Sequence, residues 1–395
     1  MATVQKRGET YRIRCSLGYD TNGKQVIKSM TYKPEQGLTK RQIHKGLEQV
    51  KANFERQCET GEIADGGKIK LSEFCPQYLD LMADKLSPTA LSMYKRVIRQ
   101  NILPVLGHFR LQNIKPLHIQ QFVQTLDKQG NYKSSTVRRY YVVLESIMHT
   151  AYRLGLIRDN PTSGGRIELP KLEEEETEIL TKEEIQQMLS CLEKEPLMWQ
   201  CLITLAITTG CRRGELIALE WKDIDFEKAT ISITKSAYTL KGQGTHIKEP
   251  KTRSSIREIV IPDFMVLLLQ QYRKEQMQIK KNIGDRWQGA DWVFTQWDGK
   301  ILYPTTPTQW FSKFQKRHNL PHKKFHALRH SSATLLLMSG VNIKEVGSRL
   351  GHSQLSTTNR YVHAIEEADR AAANDFQKLF AGSGNKDQGK DQRVQ

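Results

Sequence analysis

Two loop-like stretches divide the sequence into three parts, and this division limits the folds open to the chain. GEIADGGKIK (61–70) is rich in glycine, and DNPTSGGRIELPKLEEEE (159–176) combines proline, glycine and an acidic run, as linkers commonly do. A chain of 395 residues is also too long for one ordinary compact domain. We therefore predict domains over residues 1–62, 70–160 and 176–380, followed by a polar, disordered tail over residues 381–395.

The first part combines the alternation of β-strands with the spacing of one helix. In YRIRCSL (11–17) apolar side chains alternate with Arg12, Arg14 and Ser16, which gives a half-buried strand with a basic outer face. TVQK before it and QVIKSMTY after it supply two more strands of a small antiparallel sheet. Residues 39–57 then have the apolar spacing of a helix. A basic three-stranded sheet can lie in a DNA major groove, although an ordinary solvated face explains the pattern about as well.

The middle part is helical by every local signal. We expect Ser72 to cap its first helix. Ser87 then precedes a second helix that has Pro88 at its first position, and Gly155 ends the last one. These helices predict a compact bundle.

Basic side chains are interleaved with tyrosines along this bundle. Arginine beside tyrosine can grip a phosphate backbone, but tyrosine in the core and arginine in water produces the same pattern. The tyrosines concerned are Tyr94, Tyr132, Tyr140 and Tyr141. The candidate DNA-binding residues of the sheet and the bundle are Arg12, Arg14, Lys28, Lys95, Arg96, Arg99, Arg138 and Arg139.

The third part mixes helices with short strands. Thr181 and Glu184 form a capping box that opens a helix, and WQCLITLAITTG continues the helical periodicity. ATISITKSAY and SIREIVIP have the composition of strands, and helices return after about residue 308. We predict a mainly helical α+β domain with a small antiparallel sheet.

An excess of basic residues points to a polyanionic partner. The chain has 60 Lys and Arg against 43 Asp and Glu, a formal net charge of +17. Nucleic acid fits better than a membrane surface, because the charge is spread along the chain and no amphipathic helix with an aromatic face stands out. A merely soluble basic surface is the alternative.

The remaining composition favours a cytoplasmic protein. No apolar run approaches the length of a membrane span, and the N-terminus lacks the apolar region of a secretory signal. The six cysteines have no CxxC pair or regular spacing, which argues against a disulfide framework and a zinc site. We expect a reducing compartment, and association with the bacterial nucleoid when DNA is bound.

Four short motifs follow one another in the third part: TGCRRGEL (209–216), PKTRSSIREIVIP (250–262), HALRH (326–330) and LGHSQLSTTNRYVH (350–363). In this order and spacing they resemble the tyrosine recombinase family, the integrases of temperate phages and conjugative transposons. The resemblance extends from the N-terminal sheet to about residue 380. It assigns the catalytic positions to Arg212, Lys251, His326, Arg329, His352 and Tyr361.

The resemblance also implies an architecture and partners. It predicts a three-stranded domain like those that bind arm-type DNA sites, a helical SAM-like domain that binds core sites, and an α+β tyrosine recombinase catalytic domain. The partners would be double-stranded DNA, a homotetramer on that DNA, an excisionase and a host DNA-bending protein. ANDFQKLF (373–380) is the segment expected to exchange between protomers. Neither a metal nor a cofactor is expected.

The chemistry of phosphodiester cleavage explains the residue types. Arg212 and Arg329 can hold the non-bridging phosphate oxygens with bidentate bonds, which lysine makes less well. By resemblance, Tyr361 attacks phosphorus to give a 3′-phosphotyrosine, which keeps the energy of the broken bond.

The other positions take supporting roles by the same resemblance. Lys251 would protonate the leaving 5′-oxygen, although Lys248 and Arg253 lie close by. His326 would accept the tyrosine proton or position the phosphate. His352 would hydrogen-bond the phosphate, and Glu215 would orient the basic side chains.

Two other functions share parts of this pattern. Asn342 can cap a helix that ends at Gly351, and Thr357 or Thr358 can cap the next one, with Tyr361 in its first turns. This order also predicts a helix-turn-helix regulator, which gives no role to Arg212 or Lys251. A type IB topoisomerase or hairpin-forming resolvase would use the same nucleophile. The basic N-terminal sheet favours the integrase.

Overall fold

The computed structural model describes residues 2–19, 25–35, 37–59, 69–173, 178–240, 242–249 and 256–351, together with residues 358 and 361. The chain forms two compact units, Met1–Glu173 and Glu174–Gln395. Each unit is described by itself below.

The first unit begins with a three-stranded antiparallel sheet in the order β1-β2-β3, followed by one helix. Ile13 in the middle strand pairs with Val4 and Met30, and its buried side chain packs with Phe54 of the helix. The sheet and helix predicted from the sequence are therefore confirmed. The elements are β1 (Ala2–Arg7), β2 (Thr10–Tyr19), β3 (Gln25–Tyr32) and α1 (Lys40–Glu59).

A bundle of helices makes up the rest of the first unit. Its helices are α2 (Leu71–Met82), α3 (Pro88–Val97), α4 (Leu103–Leu106), α5 (Pro116–Lys128) and α6 (Ser134–Arg153), with a π-helical turn over Ile98–Ile102 between α3 and α4. Ser87 caps α3 as expected, because its hydroxyl accepts from the Ala90 N–H.

The predicted cap of the first bundle helix was wrong. Helix α2 begins at Leu71, so Ser72 lies inside it and Lys70 is the N-cap residue. The first N–H groups of this helix already have acceptors, because Leu71 N–H donates to the Phe109 carbonyl and Ser72 N–H to the Gly107 carbonyl. Tertiary contacts thus replace the side-chain cap that the local sequence suggested.

The bundle tyrosines belong mainly to the core. Tyr140 and Tyr141 are buried, and Tyr94 and Tyr132 pack against the same core from its edge. The Tyr141 hydroxyl donates to the Thr162 carbonyl, and burial raises the pKa of Tyr141 to about 12. For Tyr140 and Tyr141 the core interpretation is therefore correct, and phosphate contact by these two is not supported.

The described part of the second predicted linker, residues 159–173, packs against the bundle. Ile167 is buried in the bundle core, and the Gln120 amide exchanges two hydrogen bonds with the backbone of Glu168. Arg138 Nε donates to the Pro170 carbonyl at 2.7 Å. The packing of the bundle therefore continues about ten residues past residue 160, because apolar side chains in this segment reach back to it.

The second unit mixes helices with two small antiparallel sheets. Its described helices are α7 (Lys182–Leu192), α8 (Leu197–Thr209), α9 (Arg213–Ile217), α10 (Asp263–Ile283), α11 (Thr306–Arg317), α12 (Ala327–Met338) and α13 (Ile343–Leu350). Its described strands are β4 (Ile224–Asp225), β5 (Thr230–Ile233), β6 (Ser236–Leu240), β7 (Gly244–Lys248) and β8 (Arg257–Val260). The sheets have the orders β4-β5-β8 and β6-β7. The mainly helical α+β prediction is confirmed.

Helix α8 is the centre of this unit. It is apolar all round and packs against α10 and α12, which is why its sequence shows no polar stripe. Thr181 and Glu184 form the expected capping box at α7, each accepting from the other's backbone N–H. Trp199 of α8 stacks on Trp310 of α11 with ring centroids 4.3 Å apart. In the described part of the chain no helix is long and apolar enough to cross a membrane.

Truncation of Phe314 tests the core of the second unit. Phe314 is fully buried, whereas Trp297 of the same unit is 71% exposed. We expect Phe314→Ala to lower the free energy of unfolding by about 3–5 kcal/mol, because the cavity adds to the lost burial. Trp297→Ala should change it by no more than about 0.5 kcal/mol. Denaturant unfolding followed by circular dichroism measures both, and equal effects would contradict the packing.

Candidate active site

The end of helix α8 sets the position of Arg212. The helix stops at Gly210, whose φ of +63° is left-handed. A Cβ on this residue would lie 2.4 Å from Leu350 Cδ2, so both its conformation and its close packing require glycine. The chain then turns so that Arg212 becomes the N-cap residue of α9. The sequence predicted this arginine from its place after a helix-ending glycine, and the prediction of that place is confirmed.

Glu215 joins two arginines below this turn. Its Oε2 accepts from the Arg212 backbone N–H and from Arg257 Nη2, and its Oε1 accepts from Arg212 Nη1, each at 2.8 Å. Burial by itself would raise the pKa of the Glu215 carboxyl, but the hydrogen bonds and charges of Arg257 and Arg212 outweigh burial and hold that pKa below its usual value. The expectation that Glu215 orients basic side chains agrees with these contacts.

Arg257 was missed in the sequence analysis. It begins β8, and its Nε donates to the Arg349 carbonyl at 2.7 Å, so it connects Glu215 to the end of α13. A signal for it exists in SIREIVIP. Period-two alternation places Arg257 on the same face as the buried Ile259, and an arginine on a buried face needs an acidic partner.

Arg329 lies almost fully inside the protein and reaches the same turn as Arg212. Its Nη1 donates to the Gly210 carbonyl at 2.7 Å and its Nη2 to the Leu350 carbonyl at 2.9 Å. Arg212 Nη2 donates to the next carbonyl, that of Gly351, at 3.1 Å. Burial, with the positive charge of Arg212 beside it, lowers the pKa of Arg329 to about 10, so it stays charged at neutral pH.

Among the described residues, the charges around Arg212 and Arg329 do not cancel. Arg212, Arg257 and Arg329 bring three positive charges, and Glu215 is the carboxylate that pairs with two of them. The carbonyl oxygens accept hydrogen bonds from the guanidinium N–H groups, but they carry no net charge that would neutralise the arginines. A buried excess of positive charge is stabilised by an anion, so the cleft is suited to a phosphate.

His326 stands at the start of α12 beside these arginines. Although the residue is exposed, the protein around its ring desolvates it and lowers the pKa of His326, and the charges of Arg329, Arg212 and Arg213 lower it further. The ring is therefore kept neutral to lower pH than an ordinary histidine. His326 therefore lies within the electrostatic influence of Arg329, Arg212 and Arg213, and its predicted role at a phosphate stays a prediction.

Tyr361 contacts His330 of α12. The Tyr361 side chain is 2% exposed and packs with Ala333, Val346 and Leu350. Its hydroxyl lies 3.1 Å from Nδ1 of His330. The His330 residue was not identified from the sequence, although it follows His326 by four positions and therefore lies on the same face of α12.

Two of the six predicted catalytic residues fall outside the described residues. These are Lys251 and His352, and the same holds for Arg253, the exchange segment 373–380 and the tail 381–395. Lys248 is described, at the end of β7, where its Nζ lies 5.5 Å from the centre of the Tyr238 ring. Asn342 caps α13 and Gly351 ends it, as predicted. Of the two candidate caps of the next helix, Thr357 is outside the described residues, and Thr358 is helical and fully buried.

The predicted DNA-binding residues of the first unit differ in exposure. Those exposed to solvent are Lys95, Arg96, Arg99 and Arg139. Arg12, Arg14, Lys28 and Arg138 are half-buried, with Arg12 donating to the Ser29 hydroxyl and Arg138 to Pro170. Within the described ranges no three histidine, cysteine, aspartate or glutamate side chains gather as they would around a metal ion.

Removal of the Glu215 charge tests how much the arginine cluster depends on it. We expect Glu215→Gln to lower the free energy of unfolding by about 3 kcal/mol, because it leaves two guanidinium groups without their carboxylate. Glu345→Gln, at an exposed position of α13, is the matched control and should have little effect. Urea unfolding measures both. Arg257→Gln should cost less in the Glu215→Gln background than in the wild type, and simple additivity would contradict the pairing.

The pKa of His326 provides a test of the local charge. We expect it below the ordinary value of about 6.5. Since folding lowers this pKa, the stability linked to His326 is complete above the unfolded value and falls as the pH drops below it. Arg213→Gln should raise the pKa by removing one positive charge, whereas Arg317→Gln, at an ion pair with Glu195, should not. NMR titration measures the pKa, and equal shifts in the two variants would contradict this arrangement.

Family comparisons agree with the fold and the geometry. The family described as "Phage integrase family" matches residues 178–368, which contain the whole arginine and tyrosine cluster. "Phage integrase, N-terminal SAM-like domain" matches residues 70–126, which lie in the helical bundle.

Individual proteins are similar over most of their length. The chain is 30% identical to a protein named "Tyrosine recombinase XerC-like" of Caldanaerobacter subterraneus subsp. tengcongensis, over 95% of this chain and 98% of that protein. Its fold matches the Tn1549 transposon integrase in complex with circular intermediate DNA, with a TM-score of 0.63 and 22% identity over 77% of this chain and 99% of that one. It also matches a lambda integrase tetramer bound to a Holliday junction, with a TM-score of 0.56 and 17% identity over 91% of this chain and 94% of that one. The chain therefore belongs to the phage integrase family, the tyrosine recombinases that cut and rejoin DNA strands.

Proposed function

We propose that Tyr361 is the nucleophile of this recombinase and that Arg212 and Arg329 hold the phosphate it attacks. The observation that carries the proposal is the shared turn at the end of α13. Two consecutive carbonyls, of Leu350 and Gly351, receive one N–H from each arginine and so bring both guanidinium groups to one place. The Tyr361 side chain packs against Leu350 of the same turn.

The two guanidinium groups match the charge that develops on phosphorus. As the tyrosine oxygen attacks, negative charge grows on the non-bridging oxygens, and charge-assisted bonds from Arg212 and Arg329 stabilise it. Because carbonyls and Glu215 already hold these arginines in position, little reorganisation is needed when a phosphate arrives.

The covalent step keeps the energy of the DNA backbone. The bond from Tyr361 Oη to phosphorus forms, the bond from phosphorus to the 5′-oxygen breaks, and the leaving oxygen takes a proton. We assign that proton to Lys251, with Lys248 as the alternative, and assign phosphate contacts to His326 and His352. A 5′-hydroxyl of another strand then attacks the 3′-phosphotyrosine and releases Tyr361.

The substrate of this chain is proposed to be double-stranded DNA at the ends of a mobile element, which it integrates and excises. The solved Tn1549 integrase holds a circular intermediate DNA, and the lambda integrase tetramer holds a Holliday junction. By extension, we propose that this chain acts as a tetramer. Its basic excess, +17 over the chain, favours binding to the phosphate backbone.

The three predicted domains take separate parts of this task. We propose that residues 1–62 bind arm sites, that residues 70–160 bind the core site through Lys95, Arg96, Arg99 and Arg139, and that residues 176–380 carry the chemistry. Exposure of these four side chains supports the second assignment. An excisionase and a host DNA-bending protein remain proposed partners.

The helix-turn-helix alternative loses its main support. It treats α13 and the helix expected to follow it as a DNA-reading pair, and it leaves Arg212 and Arg329 without a role. In the described structure both arginines bind the carbonyl end of α13, so that helix end belongs to the arginine cluster.

A covalent adduct is the direct test of the proposed nucleophile. We expect wild-type protein, incubated in EDTA with nicked DNA from the ends of its own element, to give a protein–DNA adduct that survives denaturant. Tyr361→Phe should give none, because the attacking oxygen is gone, while Tyr303→Phe, at an exposed position of the same unit, should react normally. Gel electrophoresis in denaturant measures the adduct. Tight binding with no adduct from wild-type protein would contradict the proposal.

A further inference from the structure

Among the described histidines, the one at hydrogen-bond distance from the Tyr361 hydroxyl is His330 and not His326. His330 Nδ1 lies 3.1 Å from Tyr361 Oη, which is hydrogen-bond distance. The two rings are tilted by 52° with centroids 5.4 Å apart. A protonated phenol is a weak nucleophile, and a general base must lie within hydrogen-bond reach of the proton it removes. His330 meets this geometric requirement.

His326 lies one step further from the nucleophile. Its ring meets the His330 ring edge to face, with centroids 4.6 Å apart and planes at 85°. Protonation of His326 is disfavoured by the surrounding protein and by the charges of Arg329, Arg212 and Arg213. The neutral His326 ring can hydrogen-bond a phosphate, but it is poorly suited to accept a proton beside those arginines.

Helix α12 carries the proposed phosphate-binding residue, Arg329, and the histidine that contacts Tyr361, His330, at consecutive positions. Arg329 binds the carbonyls of Gly210 and Leu350, and the next residue, His330, binds Tyr361. Tyr361 is fixed in turn by Ala333, one helical turn further along α12. One rigid helix therefore sets the position of a phosphate-binding group, of the histidine and of the phenol ring.

We propose that His330 is the general base for Tyr361, a role that rests on Tyr361 being the nucleophile. As Tyr361 Oη forms its bond to phosphorus, its proton moves to His330 Nδ1, the bond to the 5′-oxygen breaks, and the general acid protonates that oxygen. In rejoining, the 5′-hydroxyl attacks the phosphotyrosine and gives its proton back to the general acid, while the bond from phosphorus to Tyr361 Oη breaks and His330 returns its proton to the departing phenolate. The neutral ring must carry its proton on Nε2 so that Nδ1 can accept.

A substrate with sulfur at the 5′-bridging position separates base from acid. A thiolate leaves without protonation, so this DNA compensates for a lost general acid but not for a lost base. We would measure single-turnover cleavage by the full chain on matched oxygen and sulfur substrates. The variants are His330→Ala, His330→Asn and His326→Ala, and Tyr303→Phe is the control.

We expect His330→Ala to cleave both substrates about 100-fold more slowly than wild type, with added imidazole restoring part of the rate. His330→Asn keeps a hydrogen-bonding group near Nδ1 but takes no proton, so it should remain slow on both. Imidazole should not restore His326→Ala. Thermal melting and binding to uncleaved core DNA show whether each variant is folded.

Several results would overturn the assignment. A wild-type rate in His330→Ala would exclude His330, and full recovery in His330→Asn would reduce it to a positioning residue. Recovery of His330→Ala on the sulfur substrate would place its action at the leaving group. Imidazole rescue of His326→Ala but not of His330→Ala would move the base to His326. Absence of adduct from wild-type protein on either substrate would instead contradict the proposed function itself.

Discussion

The carboxylate of Glu215 is the contact on which the cleft depends. It holds Arg212 by backbone and side chain and binds Arg257 from β8, which in turn binds the carbonyl of Arg349. One buried acid therefore connects α9, a sheet and the end of α13. It also leaves the cluster positively charged, so the protein stabilises the arginines enough to order them without removing their attraction for a phosphate. Ordered guanidinium groups and unmet charge are both needed for an anion site.

The sequence predicted those residues of the candidate site that can be recognised from a short local motif. Arginine after a helix-ending glycine, HALRH and the late tyrosine indicated Arg212, Arg329 and Tyr361, and strand alternation and capping signals predicted most elements. The contacts of Arg257 and His330 required the tertiary structure, because strand alternation and four-residue spacing indicate which face each residue is on but do not identify its partner. The misplaced cap at Ser72 has the same origin, since its helix takes acceptors from residues 107 and 109, far away in sequence.

The core of the second unit places the site as well as stabilising it. Helix α8 is buried on every side, which leaves it no freedom to shift, and it ends at Gly210, where there is no room for a side chain. The carbonyl of that glycine binds Arg329, and the residues after it form the turn to Arg212. The apolar packing of α8 therefore sets the position of Gly210 and of the turn after it, and through them the orientation of the Arg329 and Arg212 guanidinium groups.

The carbonyls of Leu350 and Gly351 have a consequence for the order in which the cleft is assembled. A growing chain that has emerged only as far as Met338 already contains Arg212, Glu215 and Arg329, but it lacks one acceptor of each arginine, the carbonyls of Gly351 and Leu350. Until α13 has folded, Arg212 keeps its bond to Glu215 and Arg329 keeps its bond to the Gly210 carbonyl, but the turn that brings the two guanidinium groups together is missing. The paired arrangement of the two arginines is therefore completed late in synthesis, when α13 has been made and folded.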